Sequence, residues 1–169
     1  MSLADRVRHP DFLQRVMSAE EAAALVPSGA NVGMSGFTGA GYPKALPQAI
    51  ARRAKAEHAA GKPYKINVWT GASTAPELDG SLAEAHAIGQ RLPFNTDPTA
   101  RNAINAGEID FIDMHLSHVA QQAWFGFLGP LHIAVIEVLG VTADGLLIPA
   151  TSVGNNKTWL EIADKVILE

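Results

Sequence analysis

The 169-residue sequence contains no cysteine. That excludes a disulfide framework, a thiolate metal site and a cysteine nucleophile, and it fits a reducing compartment. Positive charge is not in excess either: 13 Lys and Arg stand against 17 Asp and Glu, for a formal net charge of −4. No basic stripe interrupts this balance, so the electrostatic footprint that nucleic-acid binding requires is missing. No apolar run approaches the ~18 residues of a membrane span. The N-terminal Ser2-Leu3-Ala4-Asp5-Arg6-Val7-Arg8-His9 is charged throughout, unlike the apolar core of a signal peptide. A cytoplasmic protein without nucleic-acid or membrane partners is expected. What remains, 47% hydrophobic and 18% charged residues, is the composition of one globular domain with a sizeable core.

Against these absences stands a concentration of glycine. The run Ser35-Gly36-Phe37-Thr38-Gly39-Ala40-Gly41-Tyr42-Pro43-Lys44 places three glycines in one turn directly behind the strand-like Asn31-Val32-Gly33-Met34-Ser35. A strand that breaks into such a turn and then feeds a helix lines up backbone N–H groups as an anion cradle for a carboxylate, oxyanion or phosphate. A plain tight turn between strand and helix has the same glycine content, so both readings stand at this point. The order G-x-x-G-x-G is not the dinucleotide fingerprint G-x-G-x-x-G. Tyr42-Pro43 before Lys44 and Ala45 after it exclude a Walker A loop.

The rest of the chain alternates strand and helix. Ser18 and Glu21 form a capping box ahead of a short helix, and Leu46, Ala49 and Ile50 recur at helical spacing within a helix over 45–60. Strands are predicted at 66–70, 110–114, 131–138 and 165–168, helices at 99–106, 117–125 and 158–163, and a hairpin or bulge at Asp144-Gly145. Apolar strands alternating with helices predict an α/β domain with an open, mostly parallel sheet and helices on both faces. The chain stops inside a strand pattern, so it is expected to be a piece of a longer protein. Such a piece should leave an exposed apolar face, covered by self-association into a homo-oligomer.

Ligands of open α/β sheets collect outside the carboxyl ends of strands, where Ser35-Gly36 and Gly71-Ala72-Ser73 both turn. The two turns are expected to lie close together in one small-residue pocket. Ser73 supplies its hydroxyl, either as a donor to a carboxylate or thioester oxygen or as a turn serine; no G-x-S-x-G elbow surrounds it. Glu137 sits within the apolar strand run 131–138, which would desolvate its carboxyl, a route to an acid–base group; the alternative is a hydrogen-bonded carboxylate at the strand end. His115 and His118 after Asp113 make a weak metal signal, and no metal is expected. Asn155, in the polar turn after Ser152-Val153-Gly154, could contact a ligand or cap a helix.

The glycine run, Thr70-Gly71-Ala72-Ser73, Pro93-Phe94-Asn95-Thr96, Arg101-Asn102-Ala103-Ile104-Asn105-Ala106-Gly107 and Ser152-Val153-Gly154-Asn155 together resemble the N-terminal part of the acetyl-CoA hydrolase/transferase family of class I CoA-transferases. The resemblance runs in order from about Ser18 to the last residue. It implies the N-terminal domain of a two-domain enzyme that moves coenzyme A, as substrate, between an acyl-CoA and small carboxylates such as acetate, propionate or succinate. In that family a glutamate of the C-terminal domain attacks the thioester and carries CoA as a glutamyl-CoA thioester. No glutamate here matches that motif, so the catalytic half is expected to lie outside the chain. Ser73 matches the family's active-site serine, and the turn formed by Gly36, Phe37, Thr38, Gly39, Ala40 and Gly41 matches its pocket-facing loop. Hydrolysis of acetyl-CoA, or a CoA- or nucleotide-binding module without catalysis, are the alternatives.

Overall fold

The computed structural model describes residues 2–169. Two short helices, α1 (Leu3–Arg6) and α2 (Pro10–Leu13), precede α3 (Ala19–Ala24), whose predicted capping box is formed: Ser18 Oγ accepts from the Glu21 N–H and the Glu21 carboxylate accepts from the Ser18 N–H. Strand β1 (Asn31–Met34) leads into the two-residue β2 (Phe37–Thr38), then α4 (Ala45–Ala59), β3 (Ile66–Trp69) and β4 (Ala72–Ser73). A π-helical turn (Pro76–Gly80) runs into α5 (Ser81–Glu84), followed by β5 (Ile88–Leu92), α6 (Pro98–Asn105), β6 (Asp110–Phe111) and α7 (Leu116–Trp124). The chain finishes with β7 (Ile133–Ile136), β8 (Val138–Val141), β9 (Leu147–Pro149), α8 (Asn156–Ile162) and β10 (Lys165–Leu168).

Six strands form one sheet in the order β10-β7-β1-β3-β5-β6, all pairs parallel. The chain works outward from β1 through β3 and β5 to β6, then returns to lay β7 on the other side of β1. Alternate residues supply two cores. Val32, Met34, Ile66, Val68, Ile133 and Val135 pack with α3 to α6 on one face. Trp69, Ala134 and Ile136 pack with α7 and α8 residues Val119, Ala123 and Trp159 on the other. A parallel sheet covered on both faces requires this two-sided burial, and it accounts for the near-continuous apolar runs in the strands. No helix among the described residues is long and apolar enough to cross a membrane.

The predicted elements recur with shifts of a residue or two, but three differ for physical reasons. The apolar run 131–138 ends its sheet strand at Ile136, and Val138 starts a separate antiparallel hairpin with β9, turning near Asp144-Gly145 as expected. Only Asp110–Phe111 of 110–114 pairs, at the edge of the sheet. Strand β5 is not predicted from the sequence, because Gln90 and Arg91 break its apolar pattern; the Asp79 and Ser73 groups that meet the buried Arg91 come from elsewhere in the chain. Trp124, Phe125 and Phe127, at and after the end of α7, are exposed, and the last two rings lie 6.3 Å apart.

Gly33 lies in β1 beneath α8. A Cβ there would stand 3.0 Å from Trp159 Cγ and 3.2 Å from Leu131 Cδ2, both on buried side chains. Gly33→Val is therefore expected to lower stability by about 1–3 kcal/mol through overpacking, measured as a shifted urea midpoint at unchanged slope. An unchanged midpoint would show that α8 rides freely over the sheet.

Candidate functional site

Strand order reverses between β1 and β7, which run parallel from a common line and then send their chains in opposite directions. The crevice outside the carboxyl ends of strands at such a reversal is where open α/β sheets bind ligands. Here it receives Ser35 and the glycine loop. The loop's outward arm is a two-residue turn: the Phe37 N–H donates to the Ala40 carbonyl at 2.8 Å and the Ala40 N–H returns to the Phe37 carbonyl at 3.1 Å. Phe37, Thr38 and Gly39 at its tip are exposed. Thr38 has φ 49°, a left-handed value that a β-branched residue adopts at a cost of order 1–3 kcal/mol.

Three loops meet at this point. Phe37 and Thr38 pair in parallel with Ala72 and Ser73, so the glycine loop and the Gly71-Ala72-Ser73 turn are hydrogen-bonded neighbours at the carboxyl end of the sheet, as expected from sequence. The third loop, 151–155, closes over both. Ser152 Oγ donates to the Ala40 carbonyl at 2.6 Å, the Asn155 N–H donates to Ser35 Oγ at 2.8 Å, and Asn155 Nδ2 donates to the Thr70 carbonyl at 3.3 Å. Two glycines allow the approach. Gly41 (φ 66°) brings its Cα against the backbone of Ser152, and Gly154 (φ 52°) comes against Ser35 Oγ and the Gly36 carbonyl, where any side chain would collide.

A buried ion pair fixes the second loop from below. Arg91 Nε donates to Asp79 Oδ1 at 2.6 Å with both side chains fully buried. The guanidinium also reaches Thr70 Oγ1 at 2.9 Å, the Ser73 carbonyl at 3.0 Å and the Leu92 carbonyl, while Asp79 Oδ2 accepts from the Ala75 N–H at 3.0 Å. The Thr70 hydroxyl, the Ser73 carbonyl and the Ala75 N–H are thereby tied to one guanidinium–carboxylate unit. Nothing in the sequence singled out Arg91 or Asp79. The available signal was a lone arginine in a segment between helices.

Tyr42 and Lys44 line the inner side of the glycine loop. Tyr42 Oη donates to Glu77 Oε2 at 2.8 Å. Burial, the Glu77 hydrogen bond and nearby carboxylates push its phenol from 10.0 up to about 12. Glu77 in return is held below its usual range by its own backbone N–H and by the Tyr42 hydroxyl. Lys44 Nζ lies 4.2 Å from the Tyr42 ring centroid and donates to the Tyr42 carbonyl and to Glu137 Oε1, each at 2.8 Å.

The candidate residues thus fall into place individually. Ser73 is fully buried, and its hydroxyl donates to the Met34 carbonyl at 3.4 Å, bridging β4 to the end of β1. Glu137 stands at the end of β7, one-quarter exposed and paired with Lys44, which is the strand-end carboxylate rather than the desolvated one. Asn155 precedes α8 but its side chain makes no cap bond; it joins the first two loops instead. Gly71 faces Ser35 Oγ and Asn155 Nδ2 at 3.1 and 3.2 Å from where a Cβ would stand. His115 caps α7, accepting from the Ser117 N–H, and its Nδ1 contacts Ser117 Oγ at 2.7 Å.

The family model described as the acetyl-CoA hydrolase/transferase N-terminal domain matches residues 1–169. The chain belongs to the acetyl-CoA hydrolase/transferase family. It is 46% identical over 153 residues to the propanoyl-CoA:succinate CoA transferase of Escherichia coli, covering 90% of this chain and 31% of that protein. It is 35% identical over 174 residues to the acetyl-CoA hydrolase of Kluyveromyces lactis, covering 99% and 33% respectively. The chain therefore spans about a third of the length of these relatives. Glutaconate coenzyme A-transferase from Acidaminococcus fermentans shares the fold, with a TM-score of 0.68 at 13% identity, over 92% of this chain and 68% of that one.

Two measurements check the geometry of this family member's site. Arg91→Met is expected to cost about 3–5 kcal/mol by stranding the Asp79 charge, while Arg91→Met combined with Asp79→Leu recovers most of that loss in chemical denaturation. Equal losses in single and double variants would show that the guanidinium's bonds to the loop, rather than the stranded charge, set the cost. The phenol of Tyr42 titrates higher in the folded than in the unfolded chain, so its contribution to stability is complete below pH 10 and is lost as pH rises towards 12. Tyr42→Phe should flatten the stability profile across that window.

Proposed function

We propose that this chain is the N-terminal domain of an acyl-CoA:carboxylate CoA-transferase acting on small acids such as acetate, propionate or succinate. The single observation that supports this reading is the pairing of the glycine loop with the Thr70-Gly71-Ala72-Ser73 turn at the strand-order reversal of a CoA-transferase fold. Gly39, at the exposed tip, has open space where a Cβ would stand, which leaves a thioester room to approach the main chain there. Coenzyme A is a substrate in this proposal, and the chemistry needs no metal. The nucleophile is a glutamate supplied from outside these 169 residues: its carboxylate attacks the acyl-CoA carbonyl, and CoA thiolate passes to the glutamyl carbon as the acyl group departs as a carboxylate. The acceptor acid reverses the sequence.

Hydrolysis is the second reading, favoured by the relation to acetyl-CoA hydrolases; water then takes the place of the acceptor acid. One assay of the whole protein with acetyl-CoA and succinate separates the readings. Transfer forms succinyl-CoA at constant total thioester, hydrolysis releases free thiol, and a CoA-binding module does neither. Residues 1–169 alone are expected to show no turnover, because donors without the nucleophile leave the covalent step unmade. Sustained turnover by this chain would overturn the division of labour proposed here. Self-association is part of the same reading, supported by the exposed Trp124, Phe125 and Phe127, and light scattering across concentration checks it.

Ser73 enters this proposal as a positioning group, since its hydroxyl is spent on the Met34 carbonyl. Ser73→Ala is expected to cost about 0.5–1.5 kcal/mol of stability and to leave kcat within roughly ten-fold of the parent. A loss of about 100- to 1000-fold with an unchanged melting temperature would instead place the hydroxyl on the reacting oxygen.

A further inference from the structure

Helix α4 begins directly behind the glycine loop, and its first N–H groups have no partner from their own sequence neighbourhood: Lys44, at the cap position, makes no side-chain cap bond. The partner comes from the far end of the chain. Glu169 Oε1 accepts from the N–H groups of Lys44 at 2.6 Å and Ala45 at 2.8 Å, and Oε2 accepts from Leu46 at 2.8 Å. A carboxylate across three free N–H groups complements both the hydrogen-bonding deficit and the positive end of a 15-residue helix. The anion cradle that the glycine run suggests is thus present at the helix start, and the protein's own carboxylate fills it.

Lys44 is held a second time by its side chain. Its ammonium sits on Glu137 and on the Tyr42 carbonyl of the loop. Glu137 and Glu169 follow the last residues of the paired strands β7 and β10. Their relative height is fixed because the Glu169 N–H donates to the Ile136 carbonyl at 2.9 Å and the Val138 N–H donates to the Glu169 carbonyl at 2.8 Å. Two carboxylates at one register therefore grip one residue, one through its main chain and one through its ammonium. That residue is where the glycine loop ends.

We propose that Glu169, assisted by Glu137 through Lys44, is a positioning residue that sets the exit of the glycine loop from the ends of β10 and β7. The loop's entry is fixed independently by β1 and by the bond from Asn155 to Ser35. The sheet thus holds both ends of the turn at Thr38, in addition to its pairing with β4 and the bond from Ser152 to Ala40. The functional consequence rests on reading this loop as part of the CoA-transfer site; the mechanical claim does not.

Hydrogen exchange followed residue by residue tests it. Glu169→Ala is expected to accelerate exchange across 36–43 by roughly ten-fold or more, while amides of β3 and β5 keep their rates. Glu169→Gln, which retains an acceptor oxygen, should recover much of the protection. Acceleration confined to 44–46 would reduce Glu169 to a local cap, and a uniform increase that includes β3 and β5 would mean global destabilisation; either overturns the proposal. Should Glu169→Ala fail to fold, Glu137→Ala removes the Glu137 arm while leaving the Lys44 ammonium on the Tyr42 carbonyl, and unchanged exchange of the loop in that variant overturns the two-point grip. In the whole protein, Glu169→Ala is expected to lower kcat by about ten-fold with KM for acyl-CoA within about two-fold, and Glu169→Gln to recover much of that loss, since misplacement of a site costs rate more than binding. Absence of CoA transfer in the unsubstituted protein would remove the functional reading and leave the exchange result to decide the mechanical one.

Discussion

The contact between Arg91 and Asp79 carries the architecture of the site. A guanidinium and a carboxylate with no exposure to water are tolerable only where their remaining donors and acceptors are met, and here they are met almost entirely by main chain. Thr70, Ser73, Ala75 and Leu92 each give a group to this pair. The segment between β3 and α5 has little regular structure of its own, with a two-residue strand and a π-helical turn. Its shape is imposed from β5. Removing either charge leaves the other in the core without a partner, so the loop's geometry and the sheet's stability are coupled in one unit.

The same logic of borrowed partners repeats one layer higher. A parallel sheet leaves the turns after its strands to find their own hydrogen bonds, and the turns after β1 and β3, with loop 151–155, satisfy one another: β2 pairs with β4, Ser152 binds Ala40, and Asn155 binds Ser35 and Thr70. Small residues are required because three backbones converge. The result is a rigid floor at the strand-order reversal with one exposed turn, Phe37 to Gly39, projecting from it. Rigid support under an exposed, strained turn is the arrangement expected where a ligand must meet preformed N–H groups.

Glu137 shows how a residue can be legible in type and misleading in environment. Its apolar neighbours suggested a carboxyl shielded from water, yet strand β7 ends one residue earlier, and the side chain meets an ammonium from the loop across the crevice. His115 is a parallel case, since the H-x-x-H spacing is equally the spacing of a cap and a first-turn residue. In both, the sequence shows which groups are present, and the chain's path decides what faces them.

Local rules were sufficient for much of this protein. Short apolar strand runs, the Ser18–Glu21 capping box and the glycine run directly behind β1 are short-range features, and short-range sterics and hydrogen bonding determine them from a few adjacent residues. The ordered set of motifs likewise identified the family before any coordinate. Strand β5, the buried Arg91–Asp79 pair, the loop 151–155 closing on the first two, and the Glu169 carboxylate on the start of α4 were decided only by tertiary structure. Each joins groups separated by 12 to 125 positions. At such separations, no local propensity records which partner a polar group will find; the sheet order, which brings β10 and β7 beside the loop after β1, makes the choice.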